Sequence, residues 1–217
     1  MTLMTLSHQI AADLLAIKAV FLRPDEPFTW ASGIQSPIYC DNRVTYAEPD
    51  VRRRITAGYV SVIEEKYPQA EQIIGTSTSG IGYAALVAEA MNLPTGYVRG
   101  GAKSHGRNNK IEGRVAAGQQ VVVIEDLIST AGSVIEVVEA LREAGAVVLG
   151  IVSIFTYGMT KGITRLAEVN VENTSLTSFD ALVQVAAQTG YIEPKAIDAL
   201  IAFRNNPGDP QWMELLK

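Results

Sequence analysis

Cysteine is almost absent from this chain of 217 residues, which carries Cys40 alone. A single cysteine excludes an intrachain disulfide framework, and we expect a reducing compartment such as the cytoplasm. Long apolar runs are lacking too, because no segment approaches the roughly 20 residues that a membrane-spanning helix needs. The first residues lack a basic region followed by an apolar run, so we expect no secretory signal.

An excess of basic charge is also missing. The net charge of −5 argues against a general binder of nucleic acid or acidic membranes. No cysteines and histidines have zinc-ligand spacing, and neither a Ser/His/Asp order nor a Walker lysine is found. A catalytic nucleophile is therefore not indicated. What remains, 47% hydrophobic and 19% charged residues, is typical of one ordinary globular domain.

Apolar runs and helical patterns alternate regularly from residue 71 onward. We expect strands at 72–75, 96–99, 120–125 and 146–156, and helices at 82–91 and 133–144. A shorter helix, strand and helix are expected within 161–188, and a last helix at 194–203. Strands that alternate with helices predict an α/β fold, with a mainly parallel sheet and helices on both faces.

The N-terminal part lies outside this alternation. It predicts a helix over 7–20, capped by Ser7, and then a short hairpin within 28–41. We interpret residues 1–45 as a small hood belonging to the same domain. Residues 46–205 would form the α/β core, beginning with a helix over 48–66, and 206–217 a turn-rich tail.

The stretch 121–133 is the most informative in the chain. A run of valine and isoleucine predicts a buried parallel strand, which ends in Glu125 and Asp126. Alone, two such carboxylates could simply cap a turn. They are followed by small hydroxyl residues, Gly132, and a possible capping box from Ser133 to Glu136. A helix N-terminus of this kind binds phosphate, so the stretch predicts a sugar-phosphate site.

Two further loops extend this prediction. Residues 76–82 form a second loop of glycine and hydroxyl residues between a strand and a helix, which is weak evidence by itself. Residues 100–113 carry four glycines and four basic residues, counting His105. That composition suits a lid that closes cations over an anion, although a solvated flexible hairpin is the alternative. Together the loops suggest a ligand with phosphate groups at two ends.

Residues 125–133, Glu-Asp-Leu-Ile-Ser-Thr-Ala-Gly-Ser, resemble the phosphoribosyl-pyrophosphate (PRPP) motif of type I phosphoribosyltransferases. Residues 99–113 resemble the lid of the orotate phosphoribosyltransferase branch, and residues 28–43 are similar to its hood. The likeness extends to 154–157 and 190–192 and so covers nearly the whole chain. The hood distinguishes this branch from the purine enzymes.

The resemblance implies a type I phosphoribosyltransferase fold and the transfer of ribose 5-phosphate from PRPP to orotate. The products would be orotidine 5′-monophosphate and pyrophosphate, in pyrimidine biosynthesis. It also implies Mg²⁺ as cofactor, bound mainly through PRPP without a dedicated protein cage. A homodimer is implied as well, in which the lid acts on the neighbouring active site.

The same resemblance implies the site residues. PRPP binding falls to Arg99, Lys103, His105, Glu125, Asp126, Leu127, Ile128, Ser129, Thr130, Ala131, Gly132 and Ser133. The pyrophosphate loop comprises Thr76, Ser77, Thr78, Ser79 and Gly80. Orotate would contact Ser129, Tyr39 and Cys40, while Lys103 and His105 would be the catalytic residues of the lid.

Four positions depart from the family's pattern. Gly100 and Gly101 follow the lid arginine where the family has one or two lysines, and Gln35 replaces a frequent lysine. Ala131 stands in the phosphate loop where glycine is usual, which strains the backbone if φ is positive there. We expect an assembled site with lower turnover. Two alternatives stay open: a phosphoribosyltransferase for another base, and a PRPP-binding regulator without efficient catalysis.

Overall fold

A six-stranded sheet forms the centre of the protein. The computed structural model describes residues 5–30, 33–100 and 110–217. The sheet order is β10-β9-β8-β5-β6-β7, and every neighbouring pair is parallel except β6 and β7. Its strands are β5 (Gln72–Thr76), β6 (Thr95–Val98), β7 (Ile111–Glu112), β8 (Gln120–Ile128), β9 (Val147–Thr156) and β10 (Asn173–Ser178). The predicted α/β class and mainly parallel sheet are confirmed.

Seven α-helices accompany the sheet in the described part of the chain. They are α1 (Leu6–Ala16), α2 (Pro49–Lys66), α3 (Ser79–Met91), α4 (Gly132–Glu143), α5 (Thr160–Glu168), α6 (Phe179–Gln188) and α7 (Ala196–Asn205). Two 3₁₀ helices, Asn42–Ala47 and Pro210–Leu216, were not expected from the sequence. The second lies in the predicted tail and buries Trp212, which packs edge-on against Phe203. None of the described helices is long and apolar enough to cross a membrane.

The sheet separates two apolar cores because successive side chains of a strand point to opposite faces. Along β8, Val122 and Ile124 join the larger core, which contains residues of α1, α2, α3, α6 and α7. Val121 and Val123 join the smaller core, whose helical residues come from α4 and from Leu166 of α5. Burial on both faces explains why this strand has a continuous apolar sequence.

The N-terminal segment is built from four short strands rather than one hairpin. β2 (Phe28–Thr29) and β3 (Gln35–Ser36) form the predicted hairpin. The rest of our prediction was wrong, because β4 (Ile38–Cys40) pairs instead with β1 (Val20–Leu22). Consequently the first helix is shorter than predicted and ends at Ala16.

Two local predictions also need correction. Thr5, not Ser7, caps α1, and its hydroxyl accepts a hydrogen bond from the His8 N–H. The segment 100–113 is not a loop throughout, because β7 adds to the edge of the sheet beside β6. Residues 101–109 lie outside the described part of the chain. The division into hood, core and tail stays a prediction.

Candidate active site

Two loops meet at one edge of the sheet. β5 and β8 are parallel neighbours, so the segments that follow them lie side by side. β6, on the other flank of β5, brings Arg99 to the same edge. Between them is a cavity of about 370 Å³. Its walls include Cys40, Asp41, Arg43, Thr76, Ser77, Thr78, Ser79, Arg99, Gly100, Lys110, Glu125, Asp126, Leu127, Ser133 and Glu136.

The paired carboxylates lie at the floor of this cavity. The Glu125 residue is only 6% exposed, and its carboxylate accepts a hydrogen bond from the Asp126 backbone N–H at 2.8 Å. Burial, and then the adjacent Asp126 carboxyl group, raise the pKa of Glu125 well above its usual range. The ionised form of Glu125 is therefore disfavoured in the empty site, and hydrogen-bond donors brought by a ligand would favour it.

Three side chains from different elements hold the backbone beneath these acids. The buried Tyr59 of α2 donates its hydroxyl to the Glu125 carbonyl at 2.6 Å. The buried Asn42 amide donates to the Asp126 carbonyl at 2.7 Å, and the Thr76 hydroxyl donates to the Ile124 carbonyl at 3.3 Å. Each bond joins segments far apart in the chain, so the sequence pattern gave no signal for Tyr59.

The segment after β8 turns sharply into α4. Ala131 occupies the residue before the helix with φ 59° and ψ 8°, a left-handed conformation. We expected strain here only if φ were positive, and the structure shows that it is. The capping-box prediction was wrong, because α4 begins at Gly132 and Ser133 therefore lies inside the helix. The first backbone N–H groups of α4 have no side-chain cap, which leaves them available to an anion.

The loop after β5 faces the paired acids. Thr76, Ser77, Thr78 and Ser79 line the cavity, and the Ser77–Thr78 peptide bond is cis. The Ser77 hydroxyl accepts a hydrogen bond from the Gly100 N–H at 2.8 Å, which joins this loop to the end of β6. Gly80 lies behind the loop, where an added Cβ would overlap the Ile124 carbonyl. It therefore lets α3 approach β8.

Cations surround the cavity mouth. The Arg99 Nε atom lies 3.4 Å from the Glu112 carboxylate. Arg43 forms two hydrogen bonds with Asp41, of 2.7 and 2.8 Å, and the Arg43 guanidinium holds the pKa of that carboxyl below its usual range. Lys103 and His105, predicted as lid residues, lie outside the described residues.

A second, more apolar cavity of about 280 Å³ adjoins the first. It shares Cys40 and Leu127 with the first cavity, and the rest of its wall is Trp30, Tyr39, Ser129, Thr130, Tyr157 and Met159. Tyr39, Cys40 and Ser129, the three residues predicted to contact orotate, are thus brought together. Burial raises the pKa of the Cys40 thiol, and so do the nearby Asp126 and Asp41. Trp30 and Tyr157 meet edge to face at 6.4 Å.

Three predicted residues of the phosphate loop lie behind these walls. Ile128 and Ala131 are buried at 3% and 4% exposure and belong to the smaller core. Gly132 lies beside Arg165, whose guanidinium an added Cβ would approach to 3.0 Å. Neither of the two cavities includes any of these three residues in its wall. Their backbone groups, rather than their side chains, are what they offer a ligand.

The oxygen donors suit a hard cation but do not form a cage. Asp41, Glu125 and Asp126 line the same cavity, and carboxylate oxygens are preferred ligands of Mg²⁺. Within residues 5–30, 33–100 and 110–217, no cluster of three or more His, Cys, Asp or Glu side chains has metal-binding geometry. A cation here would take most of its ligands from a phosphorylated substrate and from water.

Comparison with known proteins gives a consistent result. Residues 53–188 match the family model described as a phosphoribosyl transferase domain. The orotate phosphoribosyltransferase of Bacillus cytotoxicus is 53% identical over 208 residues, or 96% of this chain and 99% of that protein. The enzyme of Bacillus pumilus is 53% identical over 206 residues, or 95% and 97%.

Solved structures agree. The crystal structure of orotate phosphoribosyltransferase from Aeropyrum pernix superposes with a TM-score of 0.73 at 27% identity, over 84% of this chain and 99% of that one. The UMP synthase of Leishmania donovani gives a TM-score of 0.75 at 25% identity, over 91% of this chain and 42% of that longer protein.

Proposed function

The chain belongs to the phosphoribosyltransferase family, in its orotate phosphoribosyltransferase branch, and from that premise we propose how its residues act. The reaction transfers ribose 5-phosphate from PRPP to orotate and releases pyrophosphate, a step of pyrimidine biosynthesis. One observation carries the residue assignment. The buried Glu125 and the partly buried Asp126 lie between the two loops that follow β5 and β8, beside a small apolar cavity.

The first cavity is assigned to PRPP. Glu125 and Asp126 accept hydrogen bonds from the ribose hydroxyls, and the segment 129–133 with the start of α4 binds the 5′-phosphate. The loop 76–80 faces the pyrophosphate. Breaking the bond between C1 and pyrophosphate leaves positive charge on the ribose and negative charge on the leaving group. Positioned donors that stabilise this charge are the main catalytic requirement.

The second cavity is assigned to orotate. Its aromatic walls, Trp30, Tyr39 and Tyr157, suit a flat ring, and the Ser129 hydroxyl offers a polar contact. Cys40 and Leu127 border both cavities, so a base bound here lies next to the proposed ribose site. That adjacency supports direct transfer of ribose 5-phosphate from PRPP to orotate.

Mg²⁺ is the proposed cofactor. The carboxylates of Asp126 and Asp41 are the described groups that would help to hold it, while PRPP supplies most of the oxygens. When bound, the ion neutralises charge on the pyrophosphate group. Because both substrates are anions that do not cross membranes unaided, we infer a cytoplasmic location.

We also propose a homodimer in which Arg99, Lys103 and His105 act on the neighbouring active site. The motif resemblance supports this, and so do the exposed apolar residues on one side of α3, namely Ala85, Leu86 and Ala90. Mixing Lys103→Ala subunits with Asp126→Asn subunits is a direct test. If the lid acts in trans, half the dimers regain one intact site and activity returns to about a quarter of wild type. No recovery in exchanged dimers would contradict action in trans.

The activity itself is tested by the loss of orotate absorbance after PRPP and Mg²⁺ are added to purified protein. We expect turnover with orotate and none with adenine or hypoxanthine. Absence of turnover while PRPP still binds would favour the regulatory alternative. Turnover with a purine base would favour the other-base alternative.

A further inference from the structure

Helix α5 lies directly against the loop that follows β8. Gly162 is buried where an added Cβ would overlap the Ser129 carbonyl. Three residues later, and therefore on the same side of the helix, Arg165 donates from Nη1 to the Thr130 carbonyl at 3.1 Å. Two successive carbonyls of the loop are thus contacted by one face of α5. These contacts fix the direction in which the neighbouring N–H groups point.

Gly132 provides the space that this arrangement needs. A Cβ at this position would lie 3.0 Å from Arg165 Nη1, 3.6 Å from Nη2 and 3.7 Å from Cζ. Any larger side chain would therefore push the guanidinium away from the first turn of α4. The space beside Gly132 is therefore filled by a guanidinium.

No carboxylate among the described residues neutralises the charge of Arg165. Arg165 is half-buried, no described carboxylate lies within 4.0 Å of its guanidinium, and its one hydrogen bond to a described residue is that to Thr130. A guanidinium has five N–H donors. It also lies beside the N-terminus of α4, which is the positive end of the helix dipole. The Arg165 guanidinium and the N-terminus of α4 are both positive, so together they favour binding of an anion.

We propose that Arg165 is a positioning residue for the 5′-phosphate of PRPP. It holds the Thr130 carbonyl so that the N–H groups of the loop and of α4 face the phosphate, and it adds positive charge beside that group. This role rests on the proposed assignment of 129–133 to the 5′-phosphate. It is distinct from that assignment because the residue belongs to α5, outside the motif.

A second arginine supplies a matched control. Arg142 of α4 donates to the Val169 and Asn170 carbonyls at 2.6 and 3.0 Å, just beyond the C-terminal end of α5. It therefore stabilises the other end of the same helix through the same kind of bond. Arg142 is exposed and lines neither of the two substrate cavities.

The test compares Arg165→Ala, Arg165→Lys and Arg142→Ala with wild type. For Arg165→Ala we expect a rise of about tenfold or more in the KM for PRPP, the scale of one lost hydrogen bond to a charged group. The KM for orotate should stay within about twofold, since the second cavity is untouched. By calorimetry, ribose 5-phosphate should bind about tenfold more weakly, whereas pyrophosphate should bind as in wild type. Arg165→Lys should recover part of the loss, and Arg142→Ala should match wild type.

Three results would overturn the proposal. One is an unchanged PRPP KM and ribose 5-phosphate affinity in Arg165→Ala. Another is an equal loss of affinity for ribose 5-phosphate and for pyrophosphate in Arg165→Ala. The third is the same rise in the PRPP KM in Arg142→Ala. Either of these last two results would indicate that the arginine only helps to pack α5. If Arg165→Ala does not fold, the test rests on Arg165→Lys. A PRPP KM equal to that of wild type in Arg165→Lys would refute a role for the planar guanidinium. Failure of the wild type to consume orotate would instead refute the proposed function.

Discussion

Replacing Glu125 with glutamine should stabilise the ligand-free protein, and increasingly so as the pH rises. The Glu125 residue is only 6% exposed and lies beside Asp126, so its ionised form is disfavoured in the fold. In the unfolded chain the same group loses its proton near its ordinary pKa of about 4.3. A glutamine carries no charge, and its amide oxygen can still accept the hydrogen bond from the Asp126 N–H.

The sign follows from proton counting. Because the pKa of Glu125 is raised in the fold, the native state binds more protons than the unfolded state above the unfolded pKa. The free energy of unfolding of wild type therefore falls as pH rises from about 4.3 towards the raised native pKa. One pH unit across this window is worth about 1.4 kcal/mol, so the ceiling at pH 7 is about 3.7 kcal/mol. Relaxation and coupling to Asp126 reduce this, and we expect about 1–3 kcal/mol.

Urea unfolding of both proteins at pH 5, 6, 7 and 8, without ligand, measures the effect. The difference between Glu125→Gln and wild type should grow with pH and then level off, while orotate turnover should fall sharply in the variant. Glu136→Gln is the control, because this exposed glutamate lines the same cavity. Stability curves that run parallel for wild type and Glu125→Gln would refute the reasoning.

Four further variants test the backbone contact, the phosphate-loop turn and the lid. Tyr59→Phe removes the hydroxyl that bonds the buried Glu125 carbonyl, so the free energy of unfolding should fall by about 1–2 kcal/mol and the kcat/KM for PRPP should fall as well. Wild-type values in urea unfolding and kinetics would contradict this. Ala131→Gly relieves about 1–2 kcal/mol of left-handed strain but adds backbone freedom and removes a buried methyl group, which together cost a similar amount. Its urea midpoint should therefore hardly move, and a loss above about 2 kcal/mol would exclude strain at this position. Gly100→Lys and Gly101→Lys should each raise the turnover rate, because they restore the lysines that the family has after the lid arginine. Unchanged rates in both variants would refute the expectation that these glycines lower turnover.

The residues that lie at the sheet edge were predictable because their placement depends on local sequence patterns. Apolar runs mark β5, β8 and β9, and a parallel sheet places the polar residues after its strands at a common edge. Glu125, Asp126 and Thr76 lie near this edge, but the predicted strand end was wrong: β8 continues to Ile128, so both acids lie within the strand. The grouping of Tyr39, Cys40 and Ser129 came from the family resemblance alone, since they lie in different segments.

The remainder depends on contacts that no short pattern contains. Asn42 and Asp126 are 84 residues apart, yet one hydrogen bond joins them. From the sequence alone, Arg165 is indistinguishable from a surface charge on a short amphipathic helix. The capping prediction failed for a local reason: the turn at Ala131 adopts a left-handed conformation, so the helix begins one residue before Ser133. Strand β1 has only three residues and was absorbed into the preceding helical pattern.

The paired acids combine a cost to the fold with a gain for ligand binding. Tyr59, Asn42 and Thr76 donate to the backbone carbonyls of residues 124–126, and the Glu125 side chain accepts a hydrogen bond from the Asp126 N–H. Burial beside Asp126 disfavours the ionised form of Glu125, which destabilises the empty protein as the pH rises. In the proposed complex, hydrogen bonds from the ribose hydroxyls would favour the ionised form of Glu125 and so reduce this penalty. Glu125 pairs with Ser153 and β8 continues to Ile128, so the sheet holds the backbone on both sides of this acid.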